Sequence, residues 1–386
     1  MTQTGSDRAD GQLACFAVVV PGLEKVAAAE LTSLAAHGVT VVDGGVNFTG
    51  SMDALCRVNL RARSITRVLL RLADFKALSF PELFNKAQKP AWERYIPAGR
   101  AVQVKASCHH TRLIHSGRAE QAVVDAIAEK LKKAGITPAT SGDAQLITVR
   151  IENDRCVISI DSSGERLDRR GYRLLSGLAP IRETVAAGIL QWMDWKPEQP
   201  LLVPMCGSGT FAIEAALMAR GRAAGLNHAF AFLHWPALHQ KRWKRVLDKA
   251  AGMQHEVSLH IAASDVDEAM LAQATANAQQ AGVQGAIRFV AQDVRDLQPL
   301  GDRPGLIVCN PPYGERIKGD VVNLYRDIGA LMQQDAFRGW RMAVIVPDKV
   351  CEQAIGLKPA RRLKLKHGGL WVRVLHLEAG PLTALA

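Results

Sequence analysis

The sequence predicts an α/β protein in two parts, with a doubly wound, mostly parallel sheet in its second half and smaller α+β units in its first half. From residue 201 onward, short apolar runs alternate with segments of helical spacing, and strands that are separated by helices run parallel. A glycine-rich stretch, Cys206-Gly207-Ser208-Gly209-Thr210, directly follows the first of these runs. Around Gly368-Gly369, basic and aliphatic residues alternate, which indicates a C-terminal antiparallel hairpin.

Turn residues divide the first half into short segments of strand and helix spacing. The predicted strands are Leu13 to Val20, Val39 to Phe48, Ile65 to Phe75, Ala101 to Ala106, Gln145 to Glu152 and Arg155 to Asp161. The predicted helices are Leu23 to Ala36, 51–62, Phe80 to Lys89 and Arg118 to Ala134. Gly44-Gly45 interrupts the second strand.

The second half begins after Ser162-Ser163-Gly164 and a basic connector at residues 166–175, where we place a domain boundary. Its predicted strands and helices are Leu201 to Met205, Phe211 to Arg220, Leu259 to Ser264, Glu268 to Ala281, Ile287 to Val290 and Leu306 to Cys309, followed by the hairpin Lys364 to Leu377.

Length and composition indicate a soluble protein of two or three domains. Of 386 residues, 48% are apolar and 22% are charged. No stretch approaches the roughly 20 apolar residues that cross a bilayer, and the polar start does not indicate a signal peptide. The seven cysteines are scattered singly, which suits a reducing compartment. We therefore expect a cytoplasmic protein with no membrane association.

The net charge of +11 and the pI near 9.5 favour an anionic partner such as nucleic acid. Basic residues form three local clusters: Arg166, Arg169, Arg170 and Arg173; Lys241, Arg242, Lys244 and Arg245; and Arg361, Arg362, Lys364 and Lys366. Such a cluster is equally well explained as a solvated face. Trp235 and Trp243 beside the second cluster could stack on RNA bases, although packing is the favoured interpretation.

The sequence does not favour a zinc site or a nucleophilic cysteine, although residues of suitable types are present. Cys108-His109-His110 and His115 do not have the spacing of a tetrahedral zinc site, so we expect no metal. Cys206 lies at a strand-to-helix turn without a nearby base, which favours a small packing residue over a nucleophile.

Acidic residues follow the next two strands after the glycine-rich stretch. Glycines at the start of a helix let the backbone approach a ligand, but this signal alone is weak. Asp265 ends the next strand and can bind a ribose diol, and Asp293 ends the third strand and could accept from an adenine amino group. A dinucleotide fold would place its carboxylate about 20 residues after the glycines. Here more than fifty residues intervene, so a nucleoside ligand of another kind is favoured.

The tetrapeptide Asn310-Pro311-Pro312-Tyr313 follows the buried strand Leu306 to Cys309. An exocyclic amine on a nucleobase is a poor nucleophile, so a catalyst must hold its two N–H bonds with acceptors. Asn310 offers a side-chain carbonyl and Pro311 a main-chain carbonyl, while both prolines remove competing N–H donors. Tyr313 can stack on the base. This motif predicts chemistry on a nucleobase amine, without choosing guanine over adenine.

Together these residues resemble the class I S-adenosylmethionine-dependent methyltransferases that act on exocyclic amines. Over nearly the whole chain, the sequence resembles the bacterial THUMP-domain family of 23S ribosomal RNA guanine-N2 methyltransferases, also labelled N6-adenine-specific DNA methylases. The matching segments are Pro21-Gly22-Leu23-Glu24, Arg169-Arg170-Gly171-Tyr172-Arg173, Ala179-Pro180, Arg182-Glu183-Thr184, Pro204 to Thr210, Gly225-Leu226-Asn227, Phe232, Trp235 and Asn310 to Arg316.

The resemblance implies a ferredoxin-like segment at 10–60, a THUMP RNA-binding domain at 61–163 and a Rossmann-like methyltransferase domain at 166–386. It implies S-adenosylmethionine as methyl donor and RNA, most specifically 23S rRNA or its precursor, as partner. The residues implied to bind the cofactor are Pro204, Cys206, Gly207, Gly209, Thr210, Asp265, Asp293 and Asn310. The residues implied to hold the target guanine for catalysis are Asn310, Pro311, Pro312 and Tyr313.

The chain departs from the family pattern at two positions, since Val203 stands where Asp is usual and His367 where Asn is usual. Three alternatives remain open at this point: a tRNA guanine-N2 methylase, a DNA adenine-N6 methylase, and a non-catalytic RNA-binding assembly factor. The last alternative depends on Val203, because the usual Asp helps to bind the cofactor.

Overall fold

The computed structural model describes residues 12–173, 181–312 and 321–380. The chain divides into two compact units, and each has its own seven-stranded sheet. The first unit comprises the described residues up to Val19, then Ala27–Leu167 and Gly225–Ala250. The second comprises Val20–Val26 and the described residues of 168–224 and 251–380.

The described residues of the first half contribute seven strands and four helices. The strands are β1 (Leu13–Val19), β2 (His37–Val42), β3 (Gly45–Gly50), β4 (Ile65–Lys76), β5 (Ala101–His109), β6 (Ala144–Glu152) and β7 (Arg155–Asp161). The helices are α1 (Glu24–Ser33), α2 (Met52–Arg61), α3 (Phe80–Ala87) and α4 (Ser116–Lys133). The sheet order is β2-β3-β1-β4-β7-β6-β5, and every described pairing is antiparallel except that of β5 with β6.

In the described parts of the second half there are another seven strands and six helices. The strands are β8 (Leu201–Pro204), β9 (Ile261–Asp265), β10 (Arg288–Ala291), β11 (Leu306–Cys309), β12 (Arg341–Val346), β13 (Arg361–His367) and β14 (Leu370–Glu378). The helices are α5 (Glu183–Trp192), α6 (Thr210–Ala219), α7 (Gln240–Ala251), α8 (Glu268–Gln280), α9 (Val321–Leu331) and α10 (Lys349–Ala354).

The second sheet has the order β10-β9-β8-β11-β12-β14-β13. Its first five strands are parallel, and β14 pairs antiparallel with both β12 and β13. This arrangement confirms the predicted doubly wound, mostly parallel sheet with a C-terminal hairpin. The central strands β8 and β11 are fully buried, so they are apolar throughout rather than alternating.

One predicted strand in the first half was wrong. The segment Val39 to Phe48 was expected as a single strand interrupted by glycines, whereas the chain forms the hairpin β2 and β3 there. Gly44 lies between them with a φ of 74°, a conformation that a glycine adopts without steric cost. The glycine pair therefore reverses the chain rather than bending one strand.

An insertion after α6, residues Gly225–Ala250, packs with the first unit. Trp235 is 2% exposed, and its indole N–H donates to Gln145 Oε1 at 2.9 Å. Arg242 binds Asp53 at 2.9 Å. The packing interpretation of Trp235 is confirmed, because its ring belongs to the core of this unit.

A shorter segment, Val20–Val26, packs with the second unit. The main-chain N–H of Lys366 donates to Pro21 O at 3.0 Å. Gly22 has a φ of 104°, and a Cβ there would lie 2.0 Å from Lys364 O. Only glycine therefore allows this turn to approach the edge strand β13.

The predicted basic connector at 166–175 is partly buried, although Arg169 is exposed. Leu167, Asp168, Arg170 and Tyr172 are each less than one tenth exposed. Arg170 stays charged inside the protein because Glu214 of α6 lies 2.9 Å away.

Within the described ranges, no helix has both the length and the apolar character needed to span a bilayer. In the same part of the chain, His, Cys, Asp and Glu side chains do not gather into a group of three that could hold a metal ion.

Candidate active site

The carboxyl ends of β8 and β11 lie side by side at the centre of the second sheet. β8 pairs in parallel with β9 on one side and with β11 on the other. The chain thus winds outward in one direction through β9 and β10, and in the other through β11 and β12. In open α/β sheets, ligands bind at such a switch point, beyond the carboxyl ends of the strands.

The glycine-rich loop leaves β8 after Pro204 through three residues with positive φ. These are Met205 at 52°, Gly207 at 51° and Gly209 at 80°. Residues with positive φ turn the backbone sharply, so the loop connects the strand to a helix within a few residues. A Cβ on Gly207 would find no atom within 4 Å, which leaves the space beside it open.

Hydrogen bonds hold this loop against the neighbouring strand and start α6. The Cys206 N–H donates to Ser264 O of β9, and the Gly209 N–H donates to Cys206 O, both at 2.9 Å. α6 begins at Thr210. The first N–H groups of a helix lack partners within it and carry partial positive charge, so this helix end suits a carboxylate.

Asp265, at the end of β9, binds the loop directly. Its Oδ2 accepts from the Gly207 N–H at 2.9 Å, and its Oδ1 accepts from the Asp267 N–H at 3.1 Å. Each oxygen keeps a further lone pair for a ligand. Val266, the next residue, is 67% exposed and offers an apolar surface beside this carboxylate.

Asn277 of α8 supports the loop from below. Its amide Nδ2 donates to Ser208 O at 3.1 Å, and the side chain is fully buried. Ala274 on the same helix would lie 3.0 Å from a Cβ on Gly209. α8 therefore packs so closely against the loop that a side chain at Gly209 would require the helix or the loop to shift by a few tenths of an ångström.

A buried polar network lies beneath the start of α6. Arg173 donates to Thr210 Oγ1 at 3.1 Å and to Ile181 O at 2.9 Å, and its guanidinium lies 3.3 Å from Glu183 Oε1. Burial raises the pKa of Glu183 to about 7, although the charge of Arg173 opposes this shift. This network connects the first turn of α6 to the first turn of α5.

Tyr172 and Arg170 extend the network to Glu214 in the middle of α6. The Tyr172 hydroxyl donates to Glu214 Oε1 at 3.0 Å. Burial raises the pKa of Tyr172 well above its usual value, and the nearby carboxylate of Glu214 adds to the shift. Tyr172 therefore stays protonated and remains a hydrogen-bond donor at neutral pH.

Asp293, after the outer strand β10, is held by Arg295. Its Oδ1 accepts from the Arg295 Nε–H at 2.9 Å and its Oδ2 from Nη2–H at 2.7 Å. These hydrogen bonds lower the pKa of Asp293 to about 2. The carboxylate is ionised at neutral pH, and the contact with adenine that was predicted for it remains a prediction.

Asn310, directly after β11, carries a buried side-chain acceptor. Its Oδ1 has no hydrogen-bond partner among the described residues. Pro311, which is buried, and Pro312 follow without main-chain N–H groups. An unsatisfied buried acceptor costs about 1–3 kcal/mol, so a ligand donor at this point is favoured. Tyr313, predicted to stack on a base, lies outside the described residues.

The two cysteines near the loop are unsuited to nucleophilic chemistry. Burial raises the pKa of Cys206 to about 12, with a further contribution from the charge of Asp265. Burial also raises the pKa of Cys309. Both remain thiols at neutral pH, which supports packing for Cys206.

The structure thus brings together Pro204, Cys206, Gly207, Gly209, Thr210 and Asp265, with Asn310 on the adjacent strand. The ligand contacts predicted for them remain predictions. The sequence interpretation did not single out Asn277, Val266 or the contacts of Arg173. Val266 could have been recognised from the sequence, because it is an apolar residue directly after Asp265. The contacts of Asn277 and Arg173 depend on the fold and could not.

The second half of the chain matches the sequence model of a known methyltransferase family. A family model described as UPF0020, RMKL-like, methyltransferase domain, matches residues 170–374, which is more than half of the chain. The chain belongs to the UPF0020 family of RMKL-like methyltransferases. In this UPF0020 protein, residues 14–69 match the RlmL ferredoxin-like domain and residues 77–161 match the THUMP domain. The family resemblance is confirmed, while the exact boundaries drawn from the sequence remain predictions.

Relatives of this UPF0020 protein span nearly the whole chain. A Synechocystis protein named as a candidate RNA methyltransferase is 35% identical over 371 residues, covering 94% of this chain and 96% of its own. A possible methylase from Clostridium difficile 630 has a TM-score of 0.88 at 33% identity, covering 97% of this chain and 100% of its own. SMU.472, a candidate methyltransferase solved in complex with SAH, has a TM-score of 0.87 at 29% identity with the same coverage.

S-adenosylmethionine is the methyl donor of the family, as the sequence predicted. The residues present in the UPF0020 site fit this cofactor. The space beside Gly207 is open, the start of α6 suits a carboxylate, and Asp265 suits a ribose diol. Val203, where Asp is usual, is 2% exposed in β8 and packs in the core.

Proposed function

We propose that this methyltransferase transfers a methyl group to the exocyclic N2 amine of a guanine in 23S ribosomal RNA, in the cytoplasm. The observation that carries the proposal is the buried, unpartnered Oδ1 of Asn310, followed by two residues without main-chain N–H groups. Acceptors next to two residues that lack main-chain N–H groups favour an amine, which brings two N–H bonds, over a hydroxyl or a carbonyl.

Asn310 and Pro311 perform the central chemical task in this proposal. Asn310 Oδ1 would accept one N–H of the amine, and the main-chain carbonyl of Pro311 the other. Both acceptors stabilise the positive charge that develops on nitrogen as the new C–N bond forms. The amine then releases one proton to solvent. S-adenosylmethionine, when bound, would supply an electrophilic methyl group on its sulfonium, whose methyl–sulfur bond would break as the C–N bond forms and leave S-adenosylhomocysteine.

Residues of the adjacent strands would position the donor next to this amine. Gly207, Gly209 and the start of α6 would hold the methionine part, and Asp265 the ribose. Val266 would cover one face of the adenine, and Asp293 would contact its amino group. Because β8 and β11 are neighbours in the sheet, donor and acceptor sites are held by one rigid scaffold, which makes alignment the main source of rate acceleration.

Three observations favour RNA as the polymer. The chain has a net charge of +11, residues 77–161 match the THUMP domain, and the Synechocystis relative is named for RNA methylation. A base within a helix must be flipped out of its stack to reach a strand-end pocket. The same requirement applies to tRNA and to DNA, so the substrate must be identified by experiment.

The test incubates the purified full-length protein with labelled S-adenosylmethionine and, in parallel, unmodified 23S rRNA, tRNA and duplex DNA. Each product is digested to nucleosides and the labelled nucleoside is identified. N2-methylguanosine from 23S rRNA is expected. Label in tRNA guanine or in DNA adenine would overturn the proposed substrate, and cofactor binding without transfer to any polymer would indicate a non-catalytic assembly factor.

Replacement of Asn310 by alanine separates catalysis from binding. We expect a loss of roughly 100- to 1,000-fold in transfer, the usual effect of removing one preorganised group that stabilises developing charge. Cofactor affinity should change little. Asn323→Ala, which removes an exposed amide from α9, is the matched control and should leave transfer unchanged. Full turnover by Asn310→Ala would exclude Asn310 from catalysis.

A further inference from the structure

The tip of the C-terminal hairpin carries exposed aromatic and basic side chains that no part of the proposed catalytic site uses. Trp371 is 50% exposed and Leu370 is 58% exposed. Lys364 and Lys366 are exposed on the neighbouring strand β13, and the Lys364 ammonium lies 4.8 Å from the centre of the Trp371 ring. All seven tryptophans lie in the described ranges, and only Trp371 is exposed to this extent.

The strand register places this tip beyond the carboxyl ends of the parallel strands, where Asn310 also lies. The parallel strand β12 ends at Val346, which pairs with Arg373 of the antiparallel strand β14. The tip therefore lies beyond the carboxyl end of β12, where Asn310 follows β11. From Arg373 to Leu370 the hairpin extends for three more residues, or roughly 10 Å.

Trp371 and the two lysines share one face of the hairpin, and that face is open at the tip. Lys366 pairs with Trp371 and Lys364 with Arg373, so their side chains point to the same side. Toward the base of the hairpin, Glu352 of α10 occupies this side and pairs with Arg362 at 2.7 Å and Arg373 at 3.5 Å. Lys364 and Lys366 lie beyond these pairs, and no ion pair to either occurs among the described residues.

The opposite face of the hairpin is covered as far as His367, although Leu370 at the very tip is exposed. Leu365 and His367 are buried there, and the Pro21-Gly22 turn packs along the main chain of β13. One face thus fixes the hairpin to the second unit, while the other presents a ring and two ammonium groups. An exposed apolar surface that is rimmed by polar side chains often marks an interaction site.

The charge pattern identifies the chemistry of that partner. The segment from Arg361 to Arg373 contains five basic residues, Arg361, Arg362, Lys364, Lys366 and Arg373, and no acidic residue. Aromatic rings beside lysines form the usual surface for unpaired nucleotides, because the ring stacks on a base and the ammonium groups contact phosphates. A protein partner would need acidic groups for this surface, whereas an RNA strand supplies them at every nucleotide.

We propose that the tip face of the β13–β14 hairpin, formed by Lys364, Lys366 and Trp371, holds an unpaired RNA nucleotide next to the methylated base. Trp371 stacks on that nucleotide, and the two lysines bind the adjacent phosphates. The surface would thereby stabilise a local opening of the RNA that exposes the target. This inference depends on the proposed function for its substrate, but it is tested by binding rather than by methyl transfer.

The experiment measures binding of the full-length protein, saturated with S-adenosylhomocysteine, to an unmodified 23S rRNA transcript over a range of salt concentrations. Trp371→Ala should weaken binding roughly 5- to 150-fold, equivalent to about 1–3 kcal/mol for loss of one stacked base. Trp371→Phe should restore most of the affinity. Lys364→Ala combined with Lys366→Ala should lower the slope of log K against log salt by roughly two.

Matched controls separate this surface from general charge and from folding. Lys196→Ala removes an exposed lysine that precedes β8, and thus lies at the amino ends of the parallel strands, away from the hairpin tip. This substitution should leave RNA affinity unchanged. The melting temperature and S-adenosylhomocysteine affinity of each hairpin variant should match those of the wild type, since the replaced side chains are exposed.

Each remaining outcome decides between explanations. If the wild type binds the transcript without methylating it, the proposed function fails while the binding comparison still tests the hairpin. Equal RNA affinity of Trp371→Ala and wild type would overturn the inference. Conversion of a dimer to a monomer by Trp371→Ala, without a change in RNA affinity per protomer, would also overturn it by assigning the surface to a second copy.

Discussion

Asp265 Oδ2 accepts a hydrogen bond from the main-chain N–H of Gly207 at 2.9 Å, across 58 residues of sequence. This contact joins the end of β9 to the loop that follows β8. The same carboxylate also accepts from the Asp267 N–H, so it fixes the start of α8 as well. A single side chain therefore shapes the loop for which cofactor binding is proposed, in addition to its own proposed contact with the ribose.

Asp265→Asn should weaken cofactor binding by about tenfold or more. The amide of asparagine retains one acceptor but places an NH₂ group against one of the two main-chain N–H donors, which loses a charge-assisted hydrogen bond worth about 1.5–3 kcal/mol. Calorimetric titration with S-adenosylhomocysteine measures the change. Asp267→Asn is the matched control, because asparagine caps a helix as well as aspartate does. Equal losses of S-adenosylhomocysteine affinity in both variants would contradict a direct role of Asp265 in cofactor binding.

The two glycines of the loop should respond differently to alanine. Both have positive φ, so each substitution costs roughly 1–2 kcal/mol of backbone strain. At Gly209 the added Cβ would also lie 3.0 Å from Ala274 Cβ, whereas at Gly207 it would enter open space. We expect Gly209→Ala to lower the melting temperature more, and Gly207→Ala to lose more cofactor affinity relative to its loss of stability.

Thermal unfolding and cofactor titration of the two glycine variants together provide the test. If Gly207→Ala binds the cofactor as the wild type does, the space beside Gly207 is not the cofactor site. If both variants lose stability equally, close packing by α8 does not restrict Gly209.

Asn277→Ala should weaken cofactor binding, although Asn277 contacts the loop and is not proposed to contact the cofactor. The substitution leaves Ser208 O without the hydrogen bond that Asn277 Nδ2 donates at 3.1 Å, and an unsatisfied buried carbonyl costs about 1–3 kcal/mol. Because the loop then has more than one conformation, the dissociation constant should rise several-fold while the transfer rate at saturating cofactor changes less. Gln279→Ala, on the exposed side of α8, is the control. A fall in the saturated rate alone would contradict a positioning role.

The sequence sufficed for the second sheet because its signals are local. Apolar runs such as Leu306 to Cys309 and the glycines after β8 are each recognisable within a few residues, and parallel pairing follows from the helices between the strands. The same argument brought Asp265 and Asn310 to one edge of the sheet. It could not foresee that Arg295 holds Asp293, because an aspartate with a neighbouring arginine has many possible partners.

Contacts between distant segments could not be predicted in this way. Trp235 belongs to the core of the first unit because it meets Gln145, 90 residues earlier in the chain. The sequence placed Arg170 in a basic connector without indicating its burial, because an arginine is rarely buried without a partner and its partner Glu214 lies on a later helix. Such pairs depend on the three-dimensional arrangement rather than on any periodic pattern.

Glu183 should make the stability of the protein depend on pH near neutrality. Burial raises its pKa to about 7 in the folded protein, above the usual value of 4.5. The folded state therefore holds the proton more tightly than the unfolded state, so the stabilisation is complete below about pH 4.5 and is lost as pH rises through 7. Glu183→Gln removes this titration while keeping a neutral side chain of the same shape. We expect the unfolding free energy of the wild type to fall relative to that of Glu183→Gln between pH 5 and pH 8, by up to about 3 kcal/mol. Denaturant unfolding of both proteins across this range measures the difference between their unfolding free energies. Other titrating groups, such as Asp161 with a pKa of about 6, contribute equally to both proteins and therefore cancel in this difference. Parallel pH profiles for the two proteins would show that Glu183 titrates normally and that Arg173 holds it ionised throughout.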